Sequence, residues 1–234
     1  MNTRHTNPIA TLFFSAVLIF YSLSGVAGIP EGAVYKNGGD SKVGIILLHG
    51  KRKNPKWKVV NPLRLGINKR LGYHTLSLQL PSQPSGTYDV SEYAKDFPEA
   101  YNWIIAGVTF LLDEKSVDRI YLIGHSMGSI MAIGFVSEHP EVKVNGVIGV
   151  GIRNSGPLPV IDTLEFFEIP VLDLYGDKET GRHSGEQSDV AHAKARSHLV
   201  SDRYEQVIVH GANHLFEYRE EKLIDAAVNW LEKQ

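Results

Sequence analysis

Six short apolar segments recur along the chain, separated by longer stretches in which apolar and polar residues mix. They are VGIILLH (43–49), HTLSLQL (74–80), RIYLIG (119–124), GVIGVGI (146–152), PVLDLYG (170–176) and EQVIVHG (205–211). Segments that are apolar at consecutive positions and rich in β-branched residues are typical of strands buried on both faces. The pattern therefore predicts a parallel sheet with helices covering both faces.

The longer stretches show the spacing of amphipathic helices, one between the second and third strands and one at the end of the chain. Their apolar positions are Phe97, Tyr101, Ile104, Val108, Leu111 and Leu112 in the first, and Leu223, Ala226, Ala227, Trp230 and Leu231 in the second. Each connection between strands has room for one helix but not for a large lid. We expect one α/β domain with a doubly wound, mostly parallel sheet and no large lid.

Composition narrows the functional classes. The chain has 24 Lys and Arg residues against 26 Asp and Glu residues, a formal charge of −2, which gives no global electrostatic case for nucleic-acid binding. It contains 0 cysteines, which excludes disulfides, a thiolate nucleophile and Cys-ligated zinc. Any nucleophile must therefore be something other than sulfur.

The N-terminal segment has the order of a secretory signal peptide. Residues 1–8 contain one arginine and no acid, residues 9–23 form an apolar run, and small residues follow up to Gly28. The apolar run is shorter than the roughly 20 residues that span a bilayer. We expect residues 1–27 to be a signal peptide cleaved near Ala27, leaving residues 28–234 as a periplasmic or secreted domain with no stable membrane span.

A nucleophile motif follows the third predicted strand. Residues Gly124-His125-Ser126-Met127-Gly128 form G-x-S-x-G, with a helix-like segment directly after them. At a sharp, strained turn from strand to helix, side chains two residues either side of the serine would collide with neighbouring elements, so glycine is required there. The motif together with this context predicts Ser126 as a catalytic nucleophile.

A serine nucleophile needs a base that takes its proton and an acid that orients the base. His214 follows the last predicted strand and lies in a loop, at the edge of a parallel sheet where catalytic groups gather. His210 lies inside the strand segment and is the weaker candidate. We therefore predict His214 as the base.

These features resemble the α/β-hydrolase superfamily over residues 43–231. The resemblance rests on His49-Gly50 after the first buried strand, GHSMG at the turn, an acidic loop after LDLYG, and GANH before the last helix. GHSMG, LDLYG and SLQLP are also similar to an exported bacterial branch of the superfamily, which adds no particular activity to the expectation. The resemblance implies an α/β-hydrolase domain over residues 28–234 with a Ser-His-acid triad.

The resemblance leaves two candidates for the acid. In such enzymes the acid commonly lies three residues after a glycine that ends its strand, and Gly176 is followed by Asp177, Lys178 and Glu179. A glutamate can hold the imidazole Nδ1–H as well as an aspartate can. We predict Glu179 as the acid and keep Asp177 as the alternative.

The resemblance also implies an oxyanion hole made by two backbone N–H groups. These belong to Met127, the residue after the nucleophile, and to Lys51, directly after His49-Gly50. Backbone amides of this kind stabilise the negative charge that develops on a carbonyl oxygen.

A basic segment follows the first buried strand. Residues 41–88 contain no acid, and Lys51, Arg52, Lys53, Lys56 and Lys58 flank Trp57. One interpretation is a solvated basic loop, and the other is attraction of an anionic substrate, a phospholipid headgroup or an envelope polymer to the site. On the second interpretation, Trp57 and Lys53 contact the substrate.

The spacing of the remaining histidines does not favour a metal site. His183, His192 and His198 do not share one helical face, and we interpret them as surface residues. No glycine-rich phosphate-binding motif is present, so no nucleotide cofactor is implied.

The sequence thus predicts an exported serine hydrolase that cleaves a carboxylic ester or thioester of a small molecule or lipid. A peptidase or amidase with the same triad is the alternative within enzymes. A non-catalytic envelope binding protein that keeps the fold is the alternative outside them, because fold alone does not establish function.

Overall fold

The computed structural model describes residues 28–81, 91–154, 156–178, 185 and 188–234. Within these residues the strands are β1 (Val34–Lys36), β2 (Val43–Leu48), β3 (His74–Leu78), β4 (Arg119–His125), β5 (Gly146–Val150), β6 (Val171–Gly176) and β7 (Tyr204–Val209). They form one sheet in the order β1-β3-β2-β4-β5-β6-β7. β1 pairs antiparallel with β3, and the other pairs are parallel.

Helices connect the parallel strands. They are α1 (Val60–Leu71), α2 (Phe97–Thr109), α3 (Met127–Glu138), α4 (Val160–Glu165), α5 (Asp189–Ala195) and α6 (Glu220–Leu231). A 3₁₀ turn at Ser91–Asp96 leads into α2, a π turn at Phe110–Glu114 follows it, and a second 3₁₀ turn spans Ser197–Leu199. No helix in the part of the chain described here is long and apolar enough to cross a membrane.

Both faces of the sheet are covered, and β2 shows why its sequence is continuously apolar. All six of its residues are buried. Ile46 packs in a cluster that includes side chains of α2 and α3, whereas Ile45 packs in a second cluster that includes side chains of α1 and α6. Because consecutive residues of a strand point to opposite faces, a strand with two covered faces is typically apolar at consecutive positions.

The predicted doubly wound α/β fold is confirmed, as are all six strands and both helices expected from the pattern, and no large lid is evident in the described ranges. The sequence pattern missed β1, which has three residues, half-buried or exposed, on the edge of the sheet. An edge strand this short has no repeating pattern to detect. The signal peptide expected at residues 1–27 lies outside the described residues.

Candidate active site

Ser126 lies at the turn between β4 and α3, at the carboxyl edge of the sheet. Its backbone has φ 53° and ψ −115°, a conformation that residues other than glycine rarely adopt. The turn is held by hydrogen bonds from the Ser126 N–H to the Val150 carbonyl, at 2.9 Å, and from the Ser129 hydroxyl to the Ser126 carbonyl, at 2.5 Å. Ser126 itself is half-buried, so it is partly exposed to solvent at this turn.

The two glycines of the motif are required by close backbone contacts. A Cβ atom on Gly124 would lie 2.4 Å from the Gly128 carbonyl oxygen. A Cβ atom on Gly128 would lie 2.2 Å from the carbonyl oxygen of Leu48, at the end of β2. The steric collision that the sequence analysis expected for any residue other than glycine is therefore present at both positions.

His214 lies in the loop between β7 and α6 and forms a buried pair with Asp189. Its Nδ1 atom lies 2.9 Å from Oδ1 and 3.1 Å from Oδ2 of Asp189, whose side chain is 4% exposed. Burial alone would raise the pKa of Asp189, but the hydrogen bond from His214 and the charge of Arg153 outweigh it and hold that pKa below its usual value. Because an ionised carboxylate only accepts hydrogen bonds, Nδ1 carries the proton and Nε2 is left as the basic nitrogen.

Asp177, the alternative acid, has partners other than the His214 ring. Its carboxylate accepts hydrogen bonds from His210 Nδ1, at 2.7 Å, and from the Gly211 N–H, at 2.6 Å. Asp177 therefore braces the beginning of the loop that carries His214 instead of contacting the His214 ring. Glu179 lies outside the described residues.

Asp189 is the acidic residue that the sequence reasoning missed. It is the first residue of α5, directly after Ser188, whose side chain accepts a hydrogen bond from the Ala191 N–H, at 3.0 Å, and caps the helix. The start of α5 thus fixes the position of the carboxylate. Asp189 lies much further along the chain than the positions directly after Gly176, where the acid was expected. The Ser-Asp pair before a helical segment was the available signal.

His125, the residue between Gly124 and Ser126, connects the turn at Ser126 to the loop that carries His214. Burial, and after it the neighbouring His214, lower the pKa of His125 to about 3, so its ring is neutral near pH 7. Its Nε2 donates a hydrogen bond to the His214 carbonyl oxygen, at 3.0 Å. The two rings lie 4.9 Å apart between centroids. The loop that holds His214 is therefore fixed directly to β4.

The two residues predicted to supply the oxyanion hole line one small cavity. Lys51 and Met127 contribute to its wall together with Gly50, and its volume is about 10 Å³. A Cβ atom on Gly50 would lie 3.4 Å from the Cβ atom of Ser126, so this cavity adjoins Ser126. The Lys51 ammonium lies 4.1 Å from the centroid of the Tyr93 ring, which also lines it.

His49 fixes the position of the turn that carries Lys51. It is 2% exposed, and burial lowers its pKa although a hydrogen bond to the Gly50 carbonyl opposes the shift. The neutral ring donates from Nδ1 to the Gly50 carbonyl, at 2.9 Å, and accepts at Nε2 from the Leu80 N–H, at 3.1 Å. His49 thereby links the chain after β2 to the chain after β3.

Trp57 and Lys53 lie together, but not in the wall of that small cavity. The Lys53 ammonium is 4.0 Å from the centroid of the Trp57 ring, which packs against the core cluster of α1 and α6. Trp57 lines a separate depression of about 510 Å³, which Glu217 and Tyr218 of the His214 loop also line. Their assignment to the substrate stays a prediction.

A buried ion pair holds the chain at the end of α5, the helix that carries Asp189. Arg196 and Asp173 are both fully buried, with Nη2 and Oδ2 2.8 Å apart. Arg196 also donates to the Ile152 carbonyl, at 3.2 Å, and to the Asn154 side chain, at 2.5 Å. His192, interpreted from sequence as a surface residue, is half-buried and accepts a hydrogen bond from the Asn154 N–H, at 3.2 Å. These bonds hold the loop after β5 against α5.

Gly151, which follows β5, provides a test of how tightly His214 is positioned. A Cβ atom on it would lie 2.9 Å from both Cε1 and Nδ1 of His214. We expect Gly151→Ala to displace the ring and to reduce kcat by about a hundredfold, because displacements near 1 Å can have effects of that size. The measurement is steady-state hydrolysis of a p-nitrophenyl ester.

Gly39→Ala is the matched control for backbone strain. Gly39 has φ +64°, close to the +60° of Gly151, but a Cβ atom there would meet nothing within 4 Å. Both variants should lose a similar amount of stability, about 1 kcal/mol, since both force alanine into the left-handed region. Unchanged turnover in Gly151→Ala would contradict the proximity argument.

This fold, with a serine at a strained strand-to-helix turn and a His-Asp pair at the same edge of the sheet, is that of an α/β hydrolase. The family model described as the alpha/beta hydrolase fold matches residues 71–193, more than half of the chain. The chain therefore belongs to the α/β-hydrolase family. Among curated proteins, no sequence matches the chain.

Solved structures agree on the fold at low sequence identity. Est1E from Butyrivibrio proteoclasticus, solved with ferulic acid, is 15% identical with a TM-score of 0.67, over 86% of this chain and 94% of that one. An alpha-beta serine hydrolase homologue from Coxiella burnetii is 21% identical with a TM-score of 0.66, over 85% and 90%. XC6422 from Xanthomonas campestris, a serine hydrolase without a lid, is 15% identical with a TM-score of 0.60, over 82% of each chain.

Proposed function

We propose that this protein is an exported serine hydrolase that cleaves carboxylic esters or thioesters through Ser126, His214 and Asp189. The observation that carries the proposal is the meeting of a strained serine turn with a buried His-Asp pair at one edge of the sheet. The serine hydrolase structures that share the fold add support at the level of the class. Asp189 replaces Glu179 and Asp177 as the proposed acid.

The mechanism follows from the protonation states. His214 Nε2 takes the Ser126 proton as Oγ attacks the carbonyl carbon of the substrate, and the N–H groups of Met127 and Lys51 stabilise the oxyanion. Asp189 holds the Nδ1–H and stabilises the imidazolium. The imidazolium then protonates the leaving alcohol or thiol, which leaves an acyl-Ser126 ester. Water, deprotonated by His214, attacks that ester, and the imidazolium returns the proton to Ser126 Oγ as the acid leaves.

The cavity beside Ser126 has room for little more than the carbonyl oxygen of a substrate. Its volume of about 10 Å³ is close to the smallest space that holds one water molecule. Lys51 and Arg52 line it, and its described lining residues include no acid. We therefore propose that this cavity receives the carbonyl oxygen and that a negative charge on the substrate is tolerated at this rim. Export rests on the signal-peptide pattern of residues 1–27.

Labelling with a fluorophosphonate probe tests the proposal, because the probe reacts with an activated serine hydroxyl. We expect stoichiometric labelling of the purified protein at Ser126, located by mass spectrometry of the labelled peptide, and none in Ser126→Ala. A p-nitrophenyl ester should then be hydrolysed by the purified protein and not by Ser126→Ala.

The alternatives give different results in the same experiments. A binding protein that keeps only the fold would stay unlabelled. A peptidase or amidase would be labelled but would cleave amide substrates with a higher kcat/KM than matched esters. Labelling at another residue would contradict the assignment of Ser126.

A further inference from the structure

A guanidinium group that the sequence analysis did not identify lies against the His-Asp pair. Arg153 follows β5, and its side chain is 12% exposed. Its Nη2 atom lies 3.2 Å from Oδ1 of Asp189 and 3.2 Å from Nδ1 of His214. Nδ1–H and Nη2–H both donate to the same carboxylate oxygen, so they approach each other without bonding to each other.

We propose that Arg153 is a positioning residue that shares the Asp189 carboxylate with His214 and whose charge opposes protonation of the His214 ring. The proposal rests on the proposed function, in which a neutral His214 is the base. A guanidinium remains charged throughout the pH range of the reaction. Its charge, this close to Nδ1, opposes a second positive charge on the ring and takes part of the carboxylate charge that would stabilise that ring charge.

The position of Arg153 is fixed by its neighbours in the chain. The carbonyl of Ile152 and the side chain of Asn154 accept hydrogen bonds from Arg196, at 3.2 Å and 2.5 Å. Asn154 also donates from its amide to the His192 carbonyl, at 3.0 Å. Residues on both sides of Arg153 are therefore tied to the chain around α5, which carries Asp189.

Two other titratable groups lie near His214 in the described part of the chain, and neither supplies the same effect. His125, from the end of β4, has its pKa lowered to about 3 by burial and by His214. His192, on α5, has its pKa lowered to about 4 by burial and then by Arg153 and Arg196. Both rings are neutral at mildly acidic pH, when Arg153 and Asp189 are ionised.

The expected consequence is a shift in the pH dependence of the reaction. In Arg153→Met the imidazolium is no longer opposed, so the acid limb of the kcat/KM profile moves to higher pH. The ratio of kcat/KM at about pH 5.5 to kcat/KM at about pH 8 should fall by at least about threefold relative to the parent protein. Arg153→Gln, which keeps a donor but not the charge, should behave like Arg153→Met, and Arg153→Lys should restore the parent ratio.

Arg64→Met is the matched control. Arg64 is also a buried arginine, 6% exposed, but it lies on α1 and donates to Asn61. Its removal should leave the pH ratio unchanged. A loss in Arg153→Met by the same factor at every pH, or a ratio not restored by lysine, would overturn the proposal in favour of a purely structural role.

A second measurement does not depend on turnover. Carbon-13 labelling of histidine allows the His214 ring to be titrated by NMR, with His214→Gln identifying its signal. The titration midpoint should rise in Arg153→Met and Arg153→Gln and stay in place in Arg153→Lys. An unchanged midpoint would refute the role of Arg153. A raised midpoint in a protein that hydrolyses no ester would instead refute the proposed function and leave the role of Arg153 standing.

Discussion

Replacement of Ser126 by alanine is expected to lower kcat by a factor of about 10⁴ or more for ester hydrolysis. The reason is that the covalent acyl-enzyme cannot form without the hydroxyl group, whereas the oxyanion donors remain. The free energy of unfolding should change by less than about 1 kcal/mol, because alanine keeps the Cβ atom and the backbone strain of the turn. Kinetics and chemical denaturation measure the two effects.

Ser137→Ala is the control for this variant, because Ser137 lies on the exposed face of α3, the helix that begins at the nucleophile turn. It should keep the parent kcat and stability. If Ser126→Ala retained a tenth of the parent turnover, Ser126 would not be the nucleophile. If it lost activity together with several kcal/mol of stability, misfolding and not chemistry would explain the loss.

The sequence predicted the sheet well because burial on two faces leaves a direct trace. Ile45 and Ile46 in β2 belong to different core clusters, so an apolar run was unavoidable there. The turn at Ser126 could also be predicted from the sequence, because a Cβ atom on Gly124 or Gly128 would collide with neighbouring backbone atoms. Steric constraints of this kind involve few residues and can therefore be inferred from a single sequence.

The position of the acid depends on contacts between segments that are distant in the chain. The local sequence contains little sign of these contacts. Asp189 reaches His214 because α5 packs against β6, and Arg153 reaches the same carboxylate from the loop after β5. One clue was present in Asp173, an acid inside an otherwise apolar strand, which requires a buried partner. That partner is Arg196, and nothing in the sequence near Asp173 identifies it.

The second large effect is expected for Asp189→Asn, which should reduce kcat by up to about 10⁴. An asparagine can turn its amide N–H groups toward Nδ1, which then becomes the acceptor, and the ring proton moves to Nε2. His214 in that tautomer cannot take the proton from Ser126. Arg153, 3.2 Å from Nδ1, would reinforce the unproductive tautomer because its N–H could then donate to the same nitrogen.

The competing acids provide the controls for this prediction. Among the described residues, Asp177→Asn disturbs the bonds from His210 and Gly211, and it should lower kcat by less than about tenfold. Glu179→Gln should have an equally small effect if Asp189 holds the imidazole. A loss near 10⁴ in Glu179→Gln, with Asp189→Asn close to the parent, would return the role of acid to Glu179. In that case the contact between Asp189 and His214 would have to open before the chemical step, and Asp189 would be a partner of Arg153 alone.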